Sequence, residues 1–184
     1  MSNSRTDTRQ QILDVAGDLF VHRGYAGTAL TDIAERLHIT KAALYYHFRS
    51  KAAILDALIA EPLQAYTRLA ETAAAGKTAP DDLLAAVIDT TITARSLFEL
   101  IGNDPSAKAL MDATPTRATS EWINRTIVAA LAGPEPAATA VVRAQAAYTV
   151  AKLATLNLLA EAEHGLDDAE RAELLAAALR AYHA

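Results

Sequence analysis

The chain has no cysteine among its 184 residues. That excludes thiol catalysis, disulfides and thiolate metal sites, and it suits a cytoplasmic protein. A targeting leader is not visible either, because Met1–Asp7 is polar and no apolar core follows it. Long hydrophobic runs are missing as well. The most apolar helical stretch, Ala137–Ala160, is broken by Arg143, Gln145, Lys152 and Asn157, so no membrane partner is expected. Enzymatic signatures fail in the same way: there is no Gly-rich phosphate loop, no His-Glu-x-x-His and no nucleophile elbow. Glu161 and His164 form one Glu-x-x-His, but a di-iron bundle needs two copies with further carboxylates. We therefore expect no catalytic residue, no metal and no cofactor. No internal repeat or low-complexity tail emerges.

What is present is a compact pair of helical patterns between Thr28 and Lys51. Leu30, Ile33, Ala34 and Leu37 recur at i, i+3, i+4 and i+7, one apolar face of a helix. After His38 and Ile39, Thr40 is a good N-cap for a second run carrying Lys41, Tyr45, Tyr46 and His47. Leu44 and Phe48, four apart, anchor that second helix, which is too short to be stable alone. An anchored helix that presents donors and aromatic hydroxyls is what entry into a DNA major groove requires. Ahead of it, Ile12, Val15, Ala16, Leu19 and Phe20 form another helical stripe, ended by Gly24 at a C-cap position. Three helices are thus predicted at about 8–23, 29–37 and 41–47.

The net charge of −5 is unevenly distributed. Residues 1–60 hold seven Lys/Arg against six Asp/Glu, a balance of +1, and the rest hold ten against sixteen, a balance of −6. The acid lies away from the proposed DNA face, and fields beyond about 8 Å are screened at physiological salt. Binding is expected to rely on a dimer and few phosphate contacts.

The run Ile12–Phe20, Gly24-Tyr25, Asp32-Ile33-Ala34, and above all Leu44-Tyr45-Tyr46-His47-Phe48 with Ser50-Lys51, resembles the N-terminal domain of the TetR (tetracycline-repressor-like) family of bacterial transcription regulators. The resemblance rests on motif for about the first third of the chain and on all-helical pattern beyond it. It implies an all-α fold, a three-helix DNA-reading domain at 1–50, and a larger helical effector-binding and dimerisation domain at 51–184. Two positions depart from the family pattern. His38 stands where Gly is usual in the turn, and a positive φ there strains His less than a β-branched residue. Ala29 and Thr31 replace the usual hydroxyl and Arg near the start of the second helix, leaving fewer phosphate contacts from it.

The candidate DNA-binding residues are Thr28, Thr31, Thr40, Lys41, Ala42, Ala43, Tyr45, Tyr46, His47 and Lys51. Lys41 lies at the end of the helix that reaches base edges. Ala42 and Ala43 are plain helix formers, or small residues that let the backbone approach the groove. Tyr45 and Tyr46 point about 100° apart, so both cannot share the Leu44/Phe48 face. Tyr45 is expected on a phosphate, and Tyr46 against the backbone or a base edge. His47 caps the helix end or, by the resemblance, donates to phosphate. Lys51 is a phosphate contact, and Thr28 and Thr31 are caps or backbone-facing hydroxyls. Arg5 and Arg9 form a short basic arm, solvated or on DNA.

The remainder reads as helices at about 51–75 (with Pro62 marking a kink or junction), about 80–101, a short one after Asn103-Asp104-Pro105, 116–131, 137–164 and 167–182. Ala140, Ala144, Ala147, Ala151 and Ala154 form a seam of small side chains. With Leu174, Leu175, Ala178 and Tyr182 they could pair with a second copy as a four-helix bundle; the alternative is that the seam packs within the chain. A two-fold dimer would set two recognition helices about 34–36 Å apart and read a palindromic operator in double-stranded DNA. For an unidentified small-molecule effector the candidates are Tyr66, Thr91, Arg95, Phe98, Trp122, Tyr148 and Asn157, with an Arg95–Glu99 helical pair and ordinary core packing as the competing readings. The expected function is a homodimeric repressor released from DNA by its effector. The rival is a helical small-molecule-binding or interaction protein with little DNA affinity.

Overall fold

The computed structural model describes residues 3–95, 98, 104–112, 116–162 and 165–184. All regular structure among them is helical. In chain order the elements are α1 (Asn3–Arg23), α2 (Leu30–Arg36), α3 (Lys41–His47), α4 (Lys51–Ala74), α5 (Pro80–Thr93), α6 (Pro105–Asp112), α7 (Thr116–Ala132), α8 (Ala138–Thr149), a π-helical turn (Val150–Ala154), α9 (Thr155–Glu161) and α10 (Asp168–His183). Among the described residues no helix is long and apolar enough to cross a membrane.

Two compact units result, 1–61 with 96–114, and 62–95 with 115–184. The sequence placed a boundary at residue 50, but the first turns of α4 belong to the N-terminal unit. Ile54, Leu55 and Ile59 are buried, and Leu58 lies against Gly17 of α1. Ile12, Ala16, Leu19 and Phe20 of α1, Ile33 and Ala34 of α2, and Leu44 and Phe48 at α3 complete that core. Of the predicted stripes, Val15, Leu30 and Leu37 are half-buried and the other members are buried. Pro62 lies inside α4, which continues through it to Ala74.

In the C-terminal unit α5 is central, packed on α7, α8, the π turn, α9 and α10. Leu83, Leu84, Val87 and Ile88 are its buried face. Ala79 caps it, Pro80 opens it, and Asp81 and Asp82 in its first turn match the helix dipole. The sequence carried this helix to about Ile101; it ends at Thr93, where Ala94 leaves helical geometry (φ −88, ψ 10). The β-branched run Thr90-Thr91-Ile92-Thr93 propagates a helix poorly, and the hydroxyls of Thr91 and Thr93 bond back to the carbonyls of Val87 and Asp89. Glu99 and Ile101 lie outside the described residues, as do Gly102 and Asn103.

The alanine seam faces inward. Ala144, Ala147 and Ala151 are fully buried within the chain, with α8 packed on α7 and α10. Leu174 and Ala178 of α10 are buried too, and the Tyr182 hydroxyl donates to the Leu131 carbonyl at 3.0 Å. Ala140, Ala154 and Leu175 are half-buried. Of the residues expected at a dimer interface, Ala144, Ala147, Ala151, Leu174 and Ala178 are thus buried within one chain. Small side chains permit close approach by any helix, and their spacing cannot say whose. The 137–164 helix is also interrupted by the π turn and ends at Glu161, with His164 outside the described residues. Replacing Ala144 by Leu should lower the unfolding free energy by about 1–3 kcal/mol through overpacking. Ala118→Leu, on the exposed side of α7, should stay within about 0.5 kcal/mol in the same urea titration.

Candidate functional site

The helix-turn-helix is built from local signals. At α2 the Asp32 carboxylate accepts the Ala29 N–H at 2.8 Å, and at α3 the Thr40 hydroxyl accepts the Ala43 N–H at 3.1 Å. Between them His38 adopts φ +54, the left-handed conformation expected in place of glycine, while its N–H bonds the Glu35 carbonyl and that of Ile39 bonds Ala34. Leu44 and Phe48 anchor α3 from beneath, and the Arg9 guanidinium lies 4.9 Å over the Phe48 ring. The opposite face is left to solvent. Tyr45 is 51% exposed and Tyr46 69%, with Lys41 and Ala42 exposed and Ala43 and His47 half-buried. Two large aromatics this open beside a lysine form a surface able to meet phosphates and base edges.

Three expected contacts have other work. Thr28 is buried, its hydroxyl donating to the carbonyls of Gly24 (2.9 Å) and Leu19 (3.3 Å). The Lys51 ammonium turns inward. It donates to the carbonyls of Tyr25 and Thr28 and lies 4.3 Å over the Tyr25 ring, so it is a structural cation where a phosphate contact was expected. Thr40 is exposed but engaged as the α3 cap, and Thr31 is half-buried in the first turn of α2.

The same loop is held from its other side by Asp104, which was read only as part of a break. One carboxylate oxygen accepts the Tyr25 N–H; the other accepts those of Ser106 (2.7 Å) and Ala107 (3.3 Å) at the start of α6. Burial pushes this carboxyl up, but backbone N–H groups of Tyr25, Ser106, Ala107 and Ala26 outweigh it and hold the pKa below the usual value. Gly27 has no room for a side chain, since a Cβ there would meet the Arg23 carbonyl oxygen at 2.4 Å.

In the C-terminal unit three effector candidates come together. The Tyr66 hydroxyl is 2.5 Å from that of Thr91, and the Tyr148 hydroxyl donates to Asn124 Oδ1 at 2.5 Å. Lys152, which sequence reasoning took only as an interruption, joins them. Its Nζ donates to Asn124 Oδ1 at 3.1 Å and to the Tyr148 hydroxyl at 3.3 Å, and lies 5.0 and 5.6 Å over the Tyr66 and Tyr148 rings. The 148/152 spacing, one helical turn, was the available signal; Asn124 gave none. The other candidates lie elsewhere. Arg95 donates to the Ala162 carbonyl at the end of α9 (2.8 Å), Trp122 and Asn157 are exposed, and Phe98 belongs to the N-terminal unit. Desolvation depresses the Lys152 pKa to about 8, and burial raises Tyr66 to about 12 and Tyr148 still further.

Two measurements follow. Lys51→Ala should remove about 1.5–3 kcal/mol of unfolding free energy, the usual worth of hydrogen bonds to a charged group, whereas a purely phosphate-binding lysine would leave it unchanged. For Lys152 the folded pKa lies below the unfolded one, so the unfolded chain binds more protons from pH 8 upward and stability rises with pH. The tyrosines act oppositely, their contribution being lost above pH 10. Between pH 8 and about 9.5 the urea midpoint should therefore climb, and in Lys152→Met that climb should vanish.

Residues 12–58 match the sequence profile of bacterial regulatory proteins of the tetR family. Over 53 residues the chain is 45% identical to the HTH-type transcriptional regulator TtgR of Pseudomonas putida, covering 29% of this chain and 25% of TtgR. Over 48 residues it is 50% identical to IcaR of Staphylococcus aureus (strain Newman), the HTH-type negative transcriptional regulator of the biofilm operon icaADBC, covering 26% of each. The match thus spans about a quarter of the length of these curated relatives. A solved transcriptional regulator from Aquifex aeolicus VF5 aligns over 96% of both chains with a TM-score of 0.69 and 20% identity, a likeness of fold alone. The helix-turn-helix segment thus matches the profile of the tetR family of bacterial regulatory proteins, and over 96% of its length the chain has the fold of that solved structure.

Proposed function

We propose that this protein is a sequence-specific DNA-binding transcriptional regulator, a homodimeric repressor released from a palindromic operator by a small-molecule effector. The observation that carries the reading is α3, a seven-residue helix anchored by Leu44 and Phe48 that turns Lys41, Tyr45 and Tyr46 to solvent. Lys41 at its N-terminal end is assigned to base edges, the Tyr45 hydroxyl to a phosphate, and Tyr46 to the backbone or a base edge. Arg49, exposed just after α3, takes the backbone-contacting role first given to Lys51.

Dimerisation is assigned to the outer face of α8, the π turn and α9. There Val142, Leu153 and Leu158 are 67, 51 and 39% exposed, while the alanines on the inner side are buried. Large apolar side chains exposed in this way on a helical unit are suited to a symmetric copy of itself. Effector sensing is assigned to the cluster of Tyr66, Thr91, Tyr148, Asn124 and Lys152. The effector acts by binding one spacing of the two reading heads more tightly than the other. The inward turn of Lys51 and the burial of Thr28 remove two expected DNA contacts, which favours the rival reading of a binding protein with little DNA affinity.

Selection of bound fragments from random duplex DNA decides between them. A palindrome with half-sites one helical turn apart is the expected product. On that duplex Lys41→Ala should lose about 1–3 kcal/mol at particular base pairs, and Tyr46→Phe about 0.5–1.5 kcal/mol, by fluorescence anisotropy. Enrichment of no sequence, or equal affinity for both variants and the parent, leaves the rival standing.

A further inference from the structure

A groove of about 350 Å³ runs between the C-terminal part of α7 and the start of α8. Its walls are apolar, with Val128, Ala129, Ala132, Pro136 and Val141. The polar side chains lining it are Asn124, Arg125 and Gln145, none of them acidic. The volume falls within the usual range for small-molecule sites, and a few polar groups against apolar walls is their usual composition.

The donors are oriented by the interior. Lysine can only donate, so Lys152 Nζ must meet the oxygen of the Asn124 amide, and the Tyr148 hydroxyl bonds the same atom. With Oδ1 held twice, Asn124 has its NH₂ to offer a ligand. Arg125 uses Nε on the Glu121 carbonyl at a long 3.4 Å. The nearby Glu121 carboxylate is already paired with Arg117 at 3.0 Å. Gln145, which donates to the Thr149 hydroxyl at 3.3 Å, is neutral. The charge lining the groove is thus that of Arg125, and Asn124, the preceding residue of α7, lines the groove with it.

From this we infer that the groove between α7 and α8 binds a small amphipathic monocarboxylate, its head group on Arg125 and Asn124 and its aliphatic tail along Val128, Ala129 and Val141. The site stands on its own geometry; only its regulatory meaning rests on the effector reading of the C-terminal unit. Asn124 joins the two, because a carboxylate on its NH₂ polarises the amide whose oxygen holds Tyr148 and Lys152.

Octanoate and octylammonium, equal in tail and opposite in charge, are the probes, titrated calorimetrically into the full chain. Octanoate should bind and octylammonium should not. Arg125→Ala, an exposed position that leaves the core intact, should weaken octanoate about tenfold or more. Ala129→Trp should abolish binding by filling the groove while the selected duplex is still bound. No octanoate binding at millimolar concentration, equal binding of the ammonium, or indifference to both substitutions overturns the site. Release of the duplex is read separately: octanoate that binds without releasing DNA upholds the site and rejects the effector reading alone.

Discussion

The backbone of Tyr25 is held on both sides by charged side chains, and the placement of α2 and α3 depends on it. Its N–H is taken by Asp104 and its carbonyl by Lys51. The loop that carries it is under tight constraint, with Gly24 at φ +78, no space for a Cβ at Gly27, and Thr28 and Tyr25 buried. Buried backbone groups must find partners, and to the loop's own bond from the Thr28 N–H to the Tyr25 carbonyl (3.4 Å) these two side chains are added. α2 and α3 are seven residues each, far below the length at which helices persist alone. Fixing the loop therefore fixes where α2 begins, and α3 after it. Lys51 opens α4 and Asp104 immediately precedes α6, so two separate segments of chain converge on one residue.

That arrangement divides the N-terminal cations into two kinds. Lys51 is engaged with carbonyls, Arg9 lies over Phe48, and Arg36 reaches Asp18 at 3.4 Å. Lys41 and Arg49 remain open on the reading side. A domain with a formal charge of only +1 thus spends part of its positive charge on its own fold. Nonspecific attraction to DNA, which scales with the number of phosphates neutralised, must accordingly be small. Affinity would have to come from pairing two heads and from the tyrosine hydroxyls, whose hydrogen bonds are short-ranged and directional.

What the sequence made legible follows the range of the interaction that decides it. The bounds of α3, the Thr40 cap, the left-handed His38 and the buried stripes of α1 and α2 are set by neighbours a few residues away, and each could be read from spacing. Asp104 on Tyr25, 79 residues distant, could not. Nor could the direction of Lys51: a lysine after the reading helix is equally suited to a phosphate or a carbonyl, and only the fold of the 24–29 loop chooses. The alanine seam shows the same limit in packing. Its periodicity correctly announced a close helix contact, but α7 and α10 of the same chain fill it.

The C-terminal unit breaks two local rules at one place. Its α8 leaves α geometry for a π turn at Val150–Ala154, and within that turn stands Lys152, a cation whose burial lowers its pKa to about 8. A methionine there would pack without desolvating a charge, and an uninterrupted helix would keep its regular hydrogen bonds. Neither departure helps the fold, because buried cations are costly and π turns distort the ladder. Local rules that fail together, in an otherwise consistent structure, single this position out as a candidate site. Two tyrosine rings, an amide oxygen and a hydroxyl make the ammonium tolerable there. A half-buried ammonium responds to negative charge brought near, and Asn124, which touches Lys152 and lines the α7–α8 groove, is a direct path by which one could be felt.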